Sequence, residues 1–98
     1  MRRRARIDAN QTEVVQALRK IGAMVAVTAR LGNGFPDLAV AYRGKWFLME
    51  VKDGTLAPSA RKLTDEEKKF HAEYAKQAPV YVVDSVDDAI RVITGSPR

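Results

Sequence analysis

The chain reads as one small α/β domain, a mixed β-sheet flanked by helices in the element order αβββαβα. Three observations predict it. A helical repeat of apolar residues opens the chain, two valine- and aromatic-rich runs meet at a glycine turn, and a capped helix then leads into an apolar strand. A strand–helix–strand segment after a hairpin implies a sheet with antiparallel and parallel pairs. The crossover through that helix is expected to be right-handed.

From Asp8 to Gly22, Val14, Leu18 and Ile21 recur at helical spacing with Val15 and Ala17 beside them, and Gly22 suits the C-terminal cap. Met24 to Thr28 is valine-rich and reads as a short strand, and residues 30–34 as a flexible loop. Strands are predicted over Asp37–Tyr42 and Trp46–Lys52, joined at Arg43-Gly44-Lys45, where Gly44 can take a positive φ. A connection broken by Pro58 follows. Thr64-Asp65-Glu66-Glu67 then has capping-box spacing, starting a helix to about Gln77 with Phe70 and Tyr74 inward. Val80–Val83 is an apolar strand, and Ser85 caps a last helix to about Ile93, with Val86, Ile90 and Ile93 inward. Trp46, Phe47, Phe70 and Tyr74 are read as core, and so is Phe35, although it lies in a loop.

Ninety-eight residues suffice for one domain. Residues 1–8 read as a basic flexible arm and residues 9–98 as the folded unit. The formal net charge is +5, from 17 Lys+Arg against 12 Asp+Glu, and the basic residues cluster at Arg2-Arg3-Arg4 with Arg6, Arg61-Lys62 and Lys68-Lys69. Such clustering favours polyanionic partners. No cysteine is present, which excludes disulfides and thiolate metal sites and fits a reducing compartment. No apolar run approaches a membrane span or follows the basic start as a signal peptide would, so a cytoplasmic location beside DNA is expected. Nothing resembles a Gly-rich nucleotide loop, so no nucleotide cofactor is expected, nor is there a zinc site or a Ser or Cys triad.

Chemistry concentrates in Gly34-Phe35-Pro36-Asp37 and Glu50-Val51-Lys52. Residues two apart on a strand share a face, so Glu50 and Lys52 point the same way as Trp46 and Leu48. Across a hairpin turning near Gly44, Asp37 falls opposite Glu50 or Val51, according to the turn's register. The first register sets two carboxylates side by side, where they repel unless one is protonated or a cation intervenes. Mg²⁺, with Mn²⁺ as substitute, suits oxygen ligands and retains water. A lysine beside such a pair can offset charge on a phosphoryl oxygen. The set suits phosphodiester hydrolysis.

These residues resemble the PD-(D/E)xK nuclease superfamily, and more narrowly its small VRR-NUC and Holliday-junction-resolvase-like members. Pro36-Asp37 matches the "PD", Glu50-Val51-Lys52 matches the "ExK", and the Gly34-x-Pro36-Asp37 form is closer to VRR-NUC. The resemblance spans residues 10–93. It implies a restriction-endonuclease-like fold, Mg²⁺ or Mn²⁺ dependence, and cleavage of DNA, branched or duplex, by a homodimer. It also implies Asp37 and Glu50 as metal ligands, the Val51 carbonyl as a further ligand, and Lys52 as catalytic. Glu13 stands where the family tends to place a glutamate on the first helix, as a metal-side and catalytic residue. Glu67 stands near where the family usually carries a glutamine, which leaves that glutamine's role unassigned here.

Each assignment has a plainer competitor. Glu13 also completes a capping-box pattern, Asn10-Gln11-Thr12-Glu13, and Glu67 reads as a cap. His71 reads as a solvated or packing residue. Arg2, Arg3, Arg4, Arg6, Arg30, Arg61 and Lys62 can grip phosphates or simply be solvated, and Gly34 can let the loop approach a phosphate backbone. The functional alternatives are a non-catalytic DNA-binding module of nuclease-like fold and, last, an assembly protein with a charged edge.

Overall fold

The structure is a computed structural model that describes residues 9–95, with helices α1 (Ala9–Lys20), α2 (Asp65–Tyr74) and α3 (Val86–Thr94). The strands are β1 (Met24–Val27), β2 (Leu38–Tyr42), β3 (Lys45–Val51) and β4 (Val80–Val83), in the predicted order. Single 3-10 turns at Ala29–Leu31 and Pro58–Arg61 break what the sequence presents as plain loops. Among the described residues no helix is long and apolar enough to cross a membrane. The arm at residues 1–8, with Arg2, Arg3, Arg4 and Arg6, lies outside the described residues.

The four strands form one sheet in the order β1-β2-β3-β4; β1–β2 and β2–β3 are antiparallel and β3–β4 is parallel. The mixed sheet is therefore as expected. Its register is set by the hairpin turn. Arg43 and Gly44 both sit at positive φ (48° and 84°), the pattern of a two-residue type I′ turn, and Tyr42 pairs with Lys45. Pairing then proceeds without a bulge to Leu38 opposite Met49. One further step sets Asp37 against Glu50.

Strand alternation divides the sheet into two faces. On one, Leu38, Val40, Phe47, Met49, Val51 and Val83 are buried against Val14, Val15 and Leu18 of α1 and Ala89 and Ile93 of α3. This is the main core. A Schellman cap ends α1: Gly22, at φ 101°, donates to the Arg19 carbonyl and Ala23 to that of Leu18, both at 3.0 Å. Ile21 follows the helix end and is 39% exposed, not inward as its spacing suggested.

The second face is covered at one end only. There α2 begins with the predicted capping box, the Thr64 hydroxyl accepting from the Glu67 amide at 3.1 Å and Glu67 Oε1 from the Thr64 amide at 2.9 Å. Phe70 is buried, its ring meeting that of Phe35 edge-on at 5.2 Å and stacking on Tyr74 at 4.0 Å. Phe70 thus joins a satellite cluster, and Tyr74 stays 51% exposed on its rim. Trp46 is the larger departure from the expected core: it is 74% exposed, because it lies on this second face at the hairpin end, which α2 does not cover.

Candidate active site

Asp37 is held from both sides. Its carbonyl accepts from the Thr28 amide at 2.7 Å, and the Thr28 hydroxyl donates to the Pro36 carbonyl at 2.7 Å, so the entry to β2 is clamped to the end of β1. Pro36 has no amide proton, which suits the entry of a strand rather than its middle. The Asp37 Oδ2 accepts from the Val51 amide at 2.8 Å. Because the N–H and C=O of a strand residue project to the same side, the Val51 carbonyl also points toward Asp37.

Glu50 is 2% exposed, and its Oε1 is buried with no hydrogen-bond partner. Burial, then a hydrogen bond with Glu67 and the charges of Asp37 and Glu67, push its carboxyl up to about 9. Burial also raises Asp37, despite the Val51 amide and a hydrogen bond with Glu50. In the absence of a cation Glu50 is therefore the carboxyl that holds a proton.

Lys52 extends the parallel ladder through its amide, which donates to the Val83 carbonyl at 2.8 Å, while its carbonyl accepts from Asn10 Nδ2 at 2.6 Å. Its Nζ lies 3.0 Å from Glu67 Oε1 and 3.6 Å from Glu50 Oε2. Burial works to lower its pKa, but the hydrogen bond and charge of Glu67, with Glu50 and Asp37, outweigh it and hold the ammonium protonated. Glu67, in spite of its own burial, is lowered by its bonds to Glu50, Thr64 and Lys52. Asp37, Glu50, Lys52 and Glu67 therefore form one hydrogen-bonded and charged group at the covered end of the second face.

Glu67 is the member that sequence reasoning assigned elsewhere. Its Oε1 serves the helix cap and Lys52 together. Capping-box spacing gave the contact with Thr64, and the contact with Lys52 joins segments remote in sequence. Asn10 was also read differently: the helix is already formed at Ala9, so Asn10 lies inside it and its side chain reaches the motif backbone instead of capping. Glu13, one turn later, is exposed and lines a groove with Asn10, Gly54, Thr55 and Asp84. No hydrogen bond or ion pair among the described residues joins it to Asp37, Glu50 or Lys52.

The proposed phosphate contacts fall in several places. Arg30 and Lys62 are exposed. Arg61 is committed within the fold, Nε to the Leu56 carbonyl at 2.9 Å and Nη1 to Asp84 at 3.1 Å, so it ties the 53–61 loop to the end of β4. Gly34 makes its close approach to protein and not to open surface: at φ 81°, a Cβ there would fall on the Glu66 carbonyl of α2. His71 is half-buried with an unpartnered Nε2, and burial lowers its pKa against the opposing charge of Glu67.

A buried carboxyl oxygen without a donor, beside a second carboxylate, is a donor-poor arrangement that a hard cation fits. Among the described residues no group of three His, Cys, Asp or Glu side chains stands ready as a complete metal cage. A cation here would thus rest on Asp37 and Glu50, the Val51 carbonyl and water.

No protein-family model matches the chain, and no curated protein matches it. Among solved structures it is similar to a VRR-NUC domain at a TM-score of 0.64, with 26% sequence identity over 89% of this chain and 92% of that one. With its mixed four-stranded sheet, three flanking helices and a likeness extending over most of both chains, the protein has the VRR-NUC nuclease-like fold, a small restriction-endonuclease-like α/β arrangement.

Proposed function

We propose that the chain is a divalent-metal-dependent DNA endonuclease that hydrolyses phosphodiester bonds, with Mg²⁺ as the ion and Mn²⁺ as a substitute. The observation that carries this is Glu50: a buried carboxyl with an unpartnered oxygen, next to Asp37 and within 3.6 Å of the Lys52 ammonium. A neutral carboxyl buried beside a second acid serves stability poorly, and a cation site explains both. The likeness to a VRR-NUC domain supports the same reading.

Hydrolysis adds water across one phosphodiester P–O bond and leaves a phosphate monoester and a hydroxyl. The ion, when bound, supplies positive charge and a more acidic water. Asp37, Glu50 and the Val51 carbonyl would hold it. The Lys52 ammonium, aimed by Glu67 and anchored through its backbone by Asn10 and Val83, would offset charge gathering on the non-bridging oxygens. Branched DNA, including four-way junctions, is the proposed substrate, and a homodimer would offer two such sites to two strands. A DNA substrate puts this work inside the cell.

Incubating the protein with labelled four-way junction, flap and linear duplex in Mg²⁺, Mn²⁺ or EDTA tests the reading. Cleavage should require the ion, favour a branched substrate, and fall at least about a hundredfold in Asp37→Ala and Glu50→Ala. No cleavage of any substrate, or an Asp37→Ala protein that cuts like wild type, refutes it. A second reading, a DNA-binding module that does not cut, is favoured by the pairing of Lys52 with Glu67. It requires metal-independent affinity that Glu50→Ala leaves unchanged.

A further inference from the structure

We infer that Arg19, Lys20, Arg43 and Lys45 form a second phosphate-binding surface, which holds a duplex arm of branched DNA other than the arm being cut. The ligand rests on the nuclease reading; the surface stands on the structure. Tyr42 and Lys45 continue the alternation of Val40 and Phe47, so both lie on the core face at the hairpin end. The Arg43 guanidinium sits over the Tyr42 ring, 5.3 Å from its centroid, on that same side. One step past the Met24–Ala41 pair brings Ala23 beside Tyr42. Helix α1, packed on the core face, therefore ends at this same corner, with Arg19 and Lys20 in its last turn. All four cations are exposed, and among the described residues none is ion-paired.

Local structure accounts for part of this cluster. Cations complement the carbonyl end of α1, and Arg19 Nη2 also donates to the Val25 carbonyl at 2.9 Å. Neither explains Arg43. It takes the first central position of the type I′ turn at φ 48°, where asparagine, aspartate or glycine is favoured. The chain accepts that strain and sets a guanidinium at the tip. From Val14 to Met49 the one acidic residue is Asp37, at the opposite end of β2. A cationic corner free of acid matches the phosphates of a nucleic acid. A membrane surface would want apolar side chains among the cations, and exposed Trp46 and Met24 lie on the other face. Lys45 stands about 17 Å along β3 from Glu50, with its side chain on the opposite face. Duplex DNA, with a persistence length of about 150 base pairs, does not fold round a sheet over that span. A duplex seated at the site therefore leaves this corner to another arm.

Full-length protein in EDTA, where cleavage does not intervene, is titrated with a labelled four-way junction and with a linear duplex as long as two of its arms, over a series of salt concentrations. A junction that engages both surfaces at once should bind at least about tenfold more tightly than the duplex. Arg43→Gln/Lys45→Gln should lose most of that preference and make the junction's slope of log K against log salt shallower by about two. Arg19→Gln/Lys20→Gln should do the same. Lys68→Gln/Lys69→Gln removes equal charge from exposed positions on α2 and should keep the preference. Circular dichroism should show all three folded, the substituted side chains being exposed. Equal wild-type affinity for junction and duplex, a preference that both corner variants retain, or an equal loss in the α2 variant overturns the inference. So does binding to phosphatidylserine vesicles that the corner variants lose while their junction affinity stays. A lost preference without metal-dependent cleavage by wild type refutes the nuclease reading alone, and cleavage with the preference unchanged refutes the second surface alone.

Discussion

Glu50 is the residue on which the chemistry and the stability of the chain meet. Its carboxyl keeps a proton in the folded chain up to about 9, against an ordinary value of 4.5. Between those values the unfolded chain binds fewer protons than the folded one, so metal-free stability falls as pH rises through this window and levels off above it. The loss is on the order of a few kcal/mol. The raised Asp37 adds to it at the acid end, whereas the lowered Glu67 and raised Lys52 act outside the window, below and above it. Thermal melts from pH 5 to 9 in EDTA should show the fall, and Glu50→Gln, which has no proton to lose, should flatten it. Glu67 divides along another line. Glu67→Gln keeps an oxygen for the Thr64 amide and should melt close to wild type, whereas Glu67→Ala should lose about 1 kcal/mol of capping. The glutamine variant also removes the charge facing Glu50, so the alkaline limit of the pH window should move to lower pH in the same melts.

Among the elements, α2 is the most weakly held, because the main core is built from α1, α3 and the sheet without it. Its attachments are the Phe35–Phe70 contact, the Lys52–Glu67 pair and the approach of Gly34 to the Glu66 backbone. Gly34→Ala should therefore displace α2, since the new methyl meets backbone and φ is 81°. The expected cost exceeds about 1 kcal/mol, and hydrogen exchange should rise in residues 65–74 while α1 and α3 keep their protection. At this scale the sequence was legible wherever a local rule acted: the Thr64 box, the Ser85 cap, the Gly22 stop and the positive φ of Gly44 at the hairpin turn all form, although the turn is one residue shorter than Arg43-Gly44-Lys45. It was less legible where an outcome depends on what covers a face. Trp46 and Phe47 have similar composition signals, and the bare hairpin end of the second face separates them.

For the whole molecule, the formal charge of +5 predicts DNA binding that weakens steeply with salt. Each phosphate neutralised contributes about −0.9 to the slope of log K against log salt, so removing residues 1–6, with their four arginines, should make the measured slope shallower by up to about four. The fold and the nearness of Asp37 to Glu50 or Val51 were readable from strand alternation, and the two-residue turn seen in the structure decides for Glu50. The dual role of Glu67 and the internal commitments of Arg61 and Gly34 were not, because each arises from contact between segments remote in sequence. The central claim, that Asp37 and Glu50 jointly bind a divalent ion, is tested most directly by calorimetric titration with Mn²⁺ at pH 7.5 in buffers of different ionisation enthalpy. The account predicts one saturable site that releases about one proton per ion, as Glu50 ionises, and that disappears in Asp37→Asn and Glu50→Gln. No binding to the wild-type chain, or binding that both variants retain without proton release, would contradict it.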